Sequence, residues 1–272
     1  MAEDINPSLS EAELEDIEER SAPAAKIVHA AVSKQGEDEL ARPAGSLFWS
    51  GTAAGIAIIS SVVAQAAIGR GMPEAPWKEA VTAFGYALGF MIVILGRMQL
   101  FTEQTMVAVL PLAKSPSLSC LGRVARLWSI VLVGNMVGAA GVAALVVFGR
   151  TQSPDMLSAM LRISAKLLDR SALDTFLQAI PAGFLIASIA WIRSAAVDVS
   201  FSIVLVLTYT IAAGGFAHVV AGASEAFLLL WAGKAGLAWV LGGFILPALA
   251  GNIVGGTGLF AMLAHAQVKD EI

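Results

Sequence analysis

Twice in this chain a polar tripeptide interrupts an apolar run, and each time a Gly-Asn segment follows at nearly the same distance. Phe101-Thr102-Glu103 precedes Gly134-Asn135-Met136-Val137-Gly138-Ala139 by 33 residues, and Phe216-Ala217-His218 precedes Gly251-Asn252-Ile253-Val254-Gly255-Gly256 by 35. A recurring polar break inside bilayer-length apolar sequence restricts the fold severely. Irregular backbone at membrane depth survives only where it lines water or meets side-chain partners, and a repeated break is how a membrane protein assembles a central site from two halves.

The setting is a membrane: 57% of the residues are apolar, 14% are charged and mean hydropathy is +0.76, which no soluble domain shows. The single Cys120 can close no internal disulfide, and no spacing suggests a metal site. Acidic residues crowd the start. Residues 1–45 hold Glu3, Asp4, Glu11, Glu13, Glu15, Asp16, Glu18, Glu19, Glu37, Asp38 and Glu39 against Arg20, Lys26, Lys34 and Arg42. That balance argues against nucleic acid as a partner, and the order is not that of a cleavable signal peptide.

Residues 1–45 read as an acidic, helical extension. Ser10-Glu11-Ala12-Glu13 matches a capping box that opens one helix to Arg20. Pro23 starts a second, with Ile27, Val28, Ala31 and Val32 on the face that docks on the membrane domain or a neighbour. His29 and His265 read as surface or interfacial histidines. Residues 46–272 form the pore domain, with repeats at 46–149 and 172–266.

Its spans are predicted at 47–69, at 79–96 resuming as 105–113, at 126–148, at 173–192, at 199–215 resuming as 219–231, and at 237–264. The expected fold class is therefore an all-α integral membrane protein with six transmembrane helices, the second and fifth broken. An odd number of spans per half makes the repeat inverted, so the breaks meet head to head. Asn135 and Asn252, each in a Gly-x-x-x-Gly frame, are the expected partners for the freed backbone groups.

These residues resemble the formate/nitrite transporter family. The resemblance rests on Phe101-Thr102-Glu103-Gln104-Thr105, on Phe216-Ala217-His218-Val219-Val220-Ala221 and on the two Gly-Asn-x-Val-Gly stretches, and it covers residues 46–266. Within the family, Arg97-Met98-Gln99-Leu100 and the acidic extension look most like the YfdC-like branch. The resemblance implies an aquaporin-like fold in a homopentamer with one pore per subunit, in the bacterial inner membrane, with both termini cytoplasmic. It implies transport of small monovalent anions or their weak acids, of the formate, nitrite, hydrosulfide or lactate type, without a cofactor. It makes His218 the central pore histidine, Thr102 its counterpart and Asn252 a neighbour. Leu100, Phe101, Phe216 and, more weakly, Phe90 become apolar constrictions, and Lys166 a basic vestibule residue.

An anion in an apolar slit is costly to desolvate, whereas a neutral acid is not, so protonation should ease passage. Lys166, Arg162 and Arg170 would gather anions. His218 would serve as proton relay or as a simple donor. Three departures from formate-type members stand out: Glu103 replaces Ser, Ala217 replaces Glu, and Gly183 replaces a span-four Asn that contacts the pore. The first two make Glu103 the positional twin of His218. An unpaired Glu103 would repel anions, and Arg97 is its expected partner. Glu103 also keeps open a channel of this fold for a neutral solute or a cation, and the extension keeps open a non-conducting sensor or scaffold. No nucleophile motif accompanies Glu103 and His218, so an enzyme is not expected.

Overall fold

The computed structural model describes Ser10 and residues 22–272; the expected helix from Ser10 to Arg20 lies outside the described residues apart from Ser10. Described secondary structure is all helical. The helices are α1 (Ala25–Ala41), α2 (Ala44–Gly69), α3 (Lys78–Leu95), α4 (Phe101–Val107), α5 (Leu110–Lys114), α6 (Leu118–Phe148), α7 (Pro154–Ala165), α8 (Ala172–Ala195), α9 (Ser200–Ala213), α10 (Val219–Trp231) and α11 (Trp239–Ala266).

Among the described residues, five helices (α2, α3, α6, α8 and α11) are long and apolar enough to cross a bilayer. The expected fifth span is divided into the shorter apolar helices α9 and α10. Large apolar side chains such as Val133, Val137, Leu177 and Val206 are exposed, a surface that requires lipid or a neighbouring subunit.

Helix α3 stops at Gly96 and α9 at Gly214, and the two stops are built alike. In each the next residue, Arg97 (φ 54°) or Gly215 (φ 66°), turns left-handed. Amides then fold back on the last turn: Met98 N–H donates to the Val93 carbonyl at 2.9 Å, and Phe216 N–H to the Ile211 carbonyl at 2.9 Å. This is the glycine-type helix stop, and in the first copy an arginine occupies the glycine's place.

Each interrupted segment then re-enters helix under an asparagine. Asn135 Oδ1 accepts from Phe101 N–H at 3.0 Å, and its Nδ2 donates to the carbonyls of Gln99 and Gly51, both at 2.8 Å. Asn252 Oδ1 accepts from Val219 N–H at 2.8 Å, and its Nδ2 donates to Ala217 at 3.0 Å and Ala179 at 2.8 Å. Both side chains are fully buried and each makes three bonds to backbone, with both amide hydrogens used, so they hold the interrupted chain in place.

These pairs set the register of the repeat. Met98 matches Phe216, Gln99 matches Ala217, Leu100 matches His218 and Phe101 matches Val219. Leu100 (φ −104°, ψ 123°) and His218 (φ −108°, ψ 124°) share one backbone conformation ahead of their helices. The twin of His218 is thus Leu100 and not Glu103, which matches Ala221. Aligning Phe101 with Phe216 slips the register because the aromatic side chain does not fix it; the helix stop and the asparagine do.

Glycines set the close approach of α2 to α6 and of α8 to α11. A side chain at Gly55 would overlap the Asn135 backbone, and one at Gly183 would overlap the Asn252 backbone. Gly183 is therefore the packing twin of Gly55, and the close approach of the Asn252 backbone leaves no room for a side chain there. Helix α11 also holds π-helical stretches at Trp239–Ile245 and Val254–Ala261, on either side of Asn252, a widening often found beside functional sites.

Helix α1 lies across α4, α5, α6 and α8. It buries Val28, His29, Val32, Ser33, Gly36 and Leu40 and leaves Ile27 and Ala31 exposed, which moves the docking face from the one expected. Gly36 explains the choice, because a side chain there would meet the Val107 carbonyl. His29 Nε2 lies 3.2 Å from His265 Nδ1, so the two histidines form one pair between α1 and α11.

Candidate functional site

At the re-entry points, α4 and α10 bring Thr102 and His218 together. Thr102 Oγ1 lies 2.7 Å from His218 Nε2, and both residues are buried. The other ring nitrogen is occupied: His218 Nδ1 accepts from Ala221 N–H at 3.1 Å and so caps α10. An accepting Nδ1 carries no proton. The ring is then the Nε2–H tautomer, which donates to the Thr102 hydroxyl. In this tautomer His218 is a hydrogen-bond donor to Thr102, and a proton on Nδ1 would break the cap.

Apolar side chains close around this bond. The Phe90 ring meets His218 edge-on, 4.9 Å between centroids and 80° between planes. Leu100 and Phe101, which precede Thr102 in the chain, are buried, and the Phe101 ring lies against Trp128 at 5.6 Å. Phe216 lines the approach to His218 from one side.

That side opens into a basic cavity of about 580 Å³ whose walls include Arg70, Lys78, Arg162, Lys166 and Arg170, with Glu74 and Glu79 among them. Lys166 Nζ is held by Glu79 Oε1 at 2.5 Å, an exposed pair. A smaller cavity of about 100 Å³ leads from Lys166 and Arg170 to His218, passing Tyr86 and Glu225.

On the opposite side, under α1, the groups are polar and interlocked. Glu39 accepts from Gln99 Nε2 at 2.9 Å and from Arg42 at 3.1 Å, and Gln104 Nε2 donates to Gln99 Oε1 at 3.0 Å. Glu103 Oε1 pairs with Arg193 Nη1 at 3.3 Å, with side-chain exposures of 12% and 18%. The expected partner, Arg97, is exposed at the helix stop and forms no ion pair with Glu103. This corrects the Arg97 assignment: its left-handed backbone serves the turn, and α8 supplies the cation. Arg193 was not singled out in the sequence, where it looks like a basic residue closing a span.

Among the described residues no group of His, Cys, Asp and Glu side chains could hold a metal ion. Two re-entrant helix starts joined by one buried hydrogen bond, at the foot of a basic cavity in a multi-pass helical protein, are the parts of a membrane channel or transporter.

Comparison with known proteins agrees. The formate/nitrite transporter family profile matches residues 26–266. The chain is 34% identical to Inner membrane protein YfdC of Escherichia coli (strain K12) over 255 residues, 94% of this chain and 82% of that protein. In fold it resembles a pentameric formate channel with formate bound (TM-score 0.71, 19% identity, 83% of this chain and 97% of that one). It also resembles an FNT family ion channel (TM-score 0.74, 17% identity, 89% and 98%). The chain belongs to the formate/nitrite transporter family, whose members are channels and transporters and not enzymes.

Proposed function

We propose that this protein carries small monovalent anions, of the formate, nitrite or lactate class, across the bacterial inner membrane as their neutral weak acids, with one path per subunit of a homopentamer. The path runs from the Lys166 cavity past Phe216 to the His218–Thr102 bond and on past Leu100 and Phe101. The two halves form an inverted pair of three spans each, with both termini cytoplasmic. The observation that carries this reading is the buried 2.7 Å bond between Thr102 and His218, with the Phe90 ring against it and a basic cavity leading to it.

Physics supports the division of labour. The basic cavity concentrates anions, while the apolar ring excludes them in charged form, because an unpaired buried charge is far costlier than a neutral acid that keeps its hydrogen bonds. The His218–Thr102 pair offers polar contact midway, so the acid need not cross the whole apolar length unsatisfied. Glu103, which would favour a cation if free, is bound to Arg193, and that pairing leaves the local field close to neutral. This favours the weak-acid reading over a cation channel.

The test is flux in sealed proteoliposomes: radiolabelled formate, nitrite and lactate driven by an inward proton gradient, against glycerol and methylammonium. Proton-dependent uptake of at least one acid, lost in His218→Phe, is expected. Uptake of glycerol or methylammonium with none of any acid would overturn the reading.

A further inference from the structure

Two polar groups at the centre are committed elsewhere: His218 Nδ1 to the Ala221 amide and His218 Nε2 to Thr102. A proton delivered to an incoming anion must therefore come from another group on the cavity side. Glu225 stands in the right place. It follows His218 and Gly222 along one face of α10, and all three line the small cavity that joins the basic vestibule to the central bond. It is also 8% exposed, and among the described residues its carboxyl group makes no hydrogen bond or ion pair.

We infer that Glu225 is the proton donor of the transport cycle, protonating the anion at the floor of the vestibule before it reaches the apolar ring. This rests on the weak-acid reading given above and adds the group that makes the acid neutral. The O–H bond of the Glu225 carboxyl breaks as an O–H bond forms on the anion, and the neutral acid moves on past His218 and Thr102. A proton from solution, carried as hydronium through the vestibule water, then binds the Glu225 carboxylate and restores the carboxyl group. On the far side the acid releases its proton to water, so one proton crosses with each anion and no charge is moved.

The surroundings suit such a role. The titratable and charged groups facing the cavity are Tyr86 from α3, Lys166 and Arg170 from the turn before α8, and His218 from the start of α10. Arg170 and Lys166 are the cations that share this cavity with Glu225. They draw the anion to the carboxyl group and temper the charge left after transfer, yet neither is bonded to it, so the proton remains free to leave. Lys166 is itself tied to Glu79.

The experiment compares wild type, Glu225→Gln and Glu225→Asp in proteoliposomes loaded with a pH-sensitive dye. Radiolabelled formate uptake and internal acidification are followed from about pH 7.5 down to about pH 5.5, a range in which a buried carboxyl group can titrate. Gel filtration and the thermal unfolding midpoint establish that each variant is assembled. Wild type should take up formate with acidification, faster at lower pH. Glu225→Gln should lower uptake by about tenfold or more and flatten its pH dependence, while Glu225→Asp, which keeps a carboxyl group, retains the dependence. Equal or faster uptake in Glu225→Gln with an unchanged pH profile overturns the donor role and leaves the proposed function standing. An Asp variant that transports without pH dependence also overturns it. A wild type that carries no acid of the panel sinks the proposed function and the donor role with it.

Discussion

Removing the Arg193 guanidinium should destabilise the folded protein far more than removing that of Arg97. Arg193 Nη1 and Glu103 Oε1 are 3.3 Å apart and mostly screened from water. Losing one partner of a fully buried pair costs about 3–5 kcal/mol, because the other charge is stranded, whereas an exposed pair contributes about 0–1 kcal/mol. With exposures of 18% and 12% this pair lies nearer the buried limit, so Arg193→Ala should cost about 2–4 kcal/mol. Adding Glu103→Gln removes the stranded charge and should recover about half of that. The assay is reversible unfolding of the detergent-solubilised protein by SDS titration, run on both single variants and the double. If Arg97→Ala and Arg193→Ala shift the midpoint equally, or if the Arg193 and Glu103 effects simply add, the assigned pairing is wrong.

Asn135→Ala and Asn252→Ala each delete three buried bonds to backbone; each should cost about 2–4 kcal/mol and should speed amide exchange at Phe101 and Val219 respectively, read by hydrogen-exchange mass spectrometry. Arg97→Gly should raise stability by about 1 kcal/mol in the same SDS titration, since it relieves a left-handed backbone that glycine adopts freely. Burial, with His265 and Lys114 alongside, holds His29 below its ordinary value of 6.5. Undocked α1 therefore binds more protons than docked α1, and docking should weaken as pH falls below about 6.5. Protease cleavage within α1 should rise on acidification in wild type and stay level in His29→Phe.

The all-helical membrane class and the stops of α3 and α9 were legible because apolar length and its interruption are one-dimensional signals. The asparagines were legible for a related reason: an amide recurring in a Gly-x-x-x-Gly frame at membrane depth has few uses besides satisfying backbone. What escaped the sequence depends on position in space. Arg193 is ninety residues from Glu103 along the chain, and nothing local marks it as different from any arginine closing a span. The repeat register is hidden in the sequence because Phe101 and Phe216 look equivalent, while the physical landmarks are a left-handed residue and a capped amide. In the first copy the left-handed residue is an arginine, which hides the match to Gly215. The partner of His29 was out of reach for the same reason, since α1 and the end of α11 meet only once the chain has closed on itself.

Thr102 and His218 belong to one polypeptide, so the central bond is complete within each chain and borrows nothing from a neighbour. If the chain assembles and transports as proposed, assemblies built from mixtures of active and disabled chains should therefore transport in simple proportion to the fraction of active ones. A single faulty member would silence only itself, and dominant-negative alleles altering this centre should not arise.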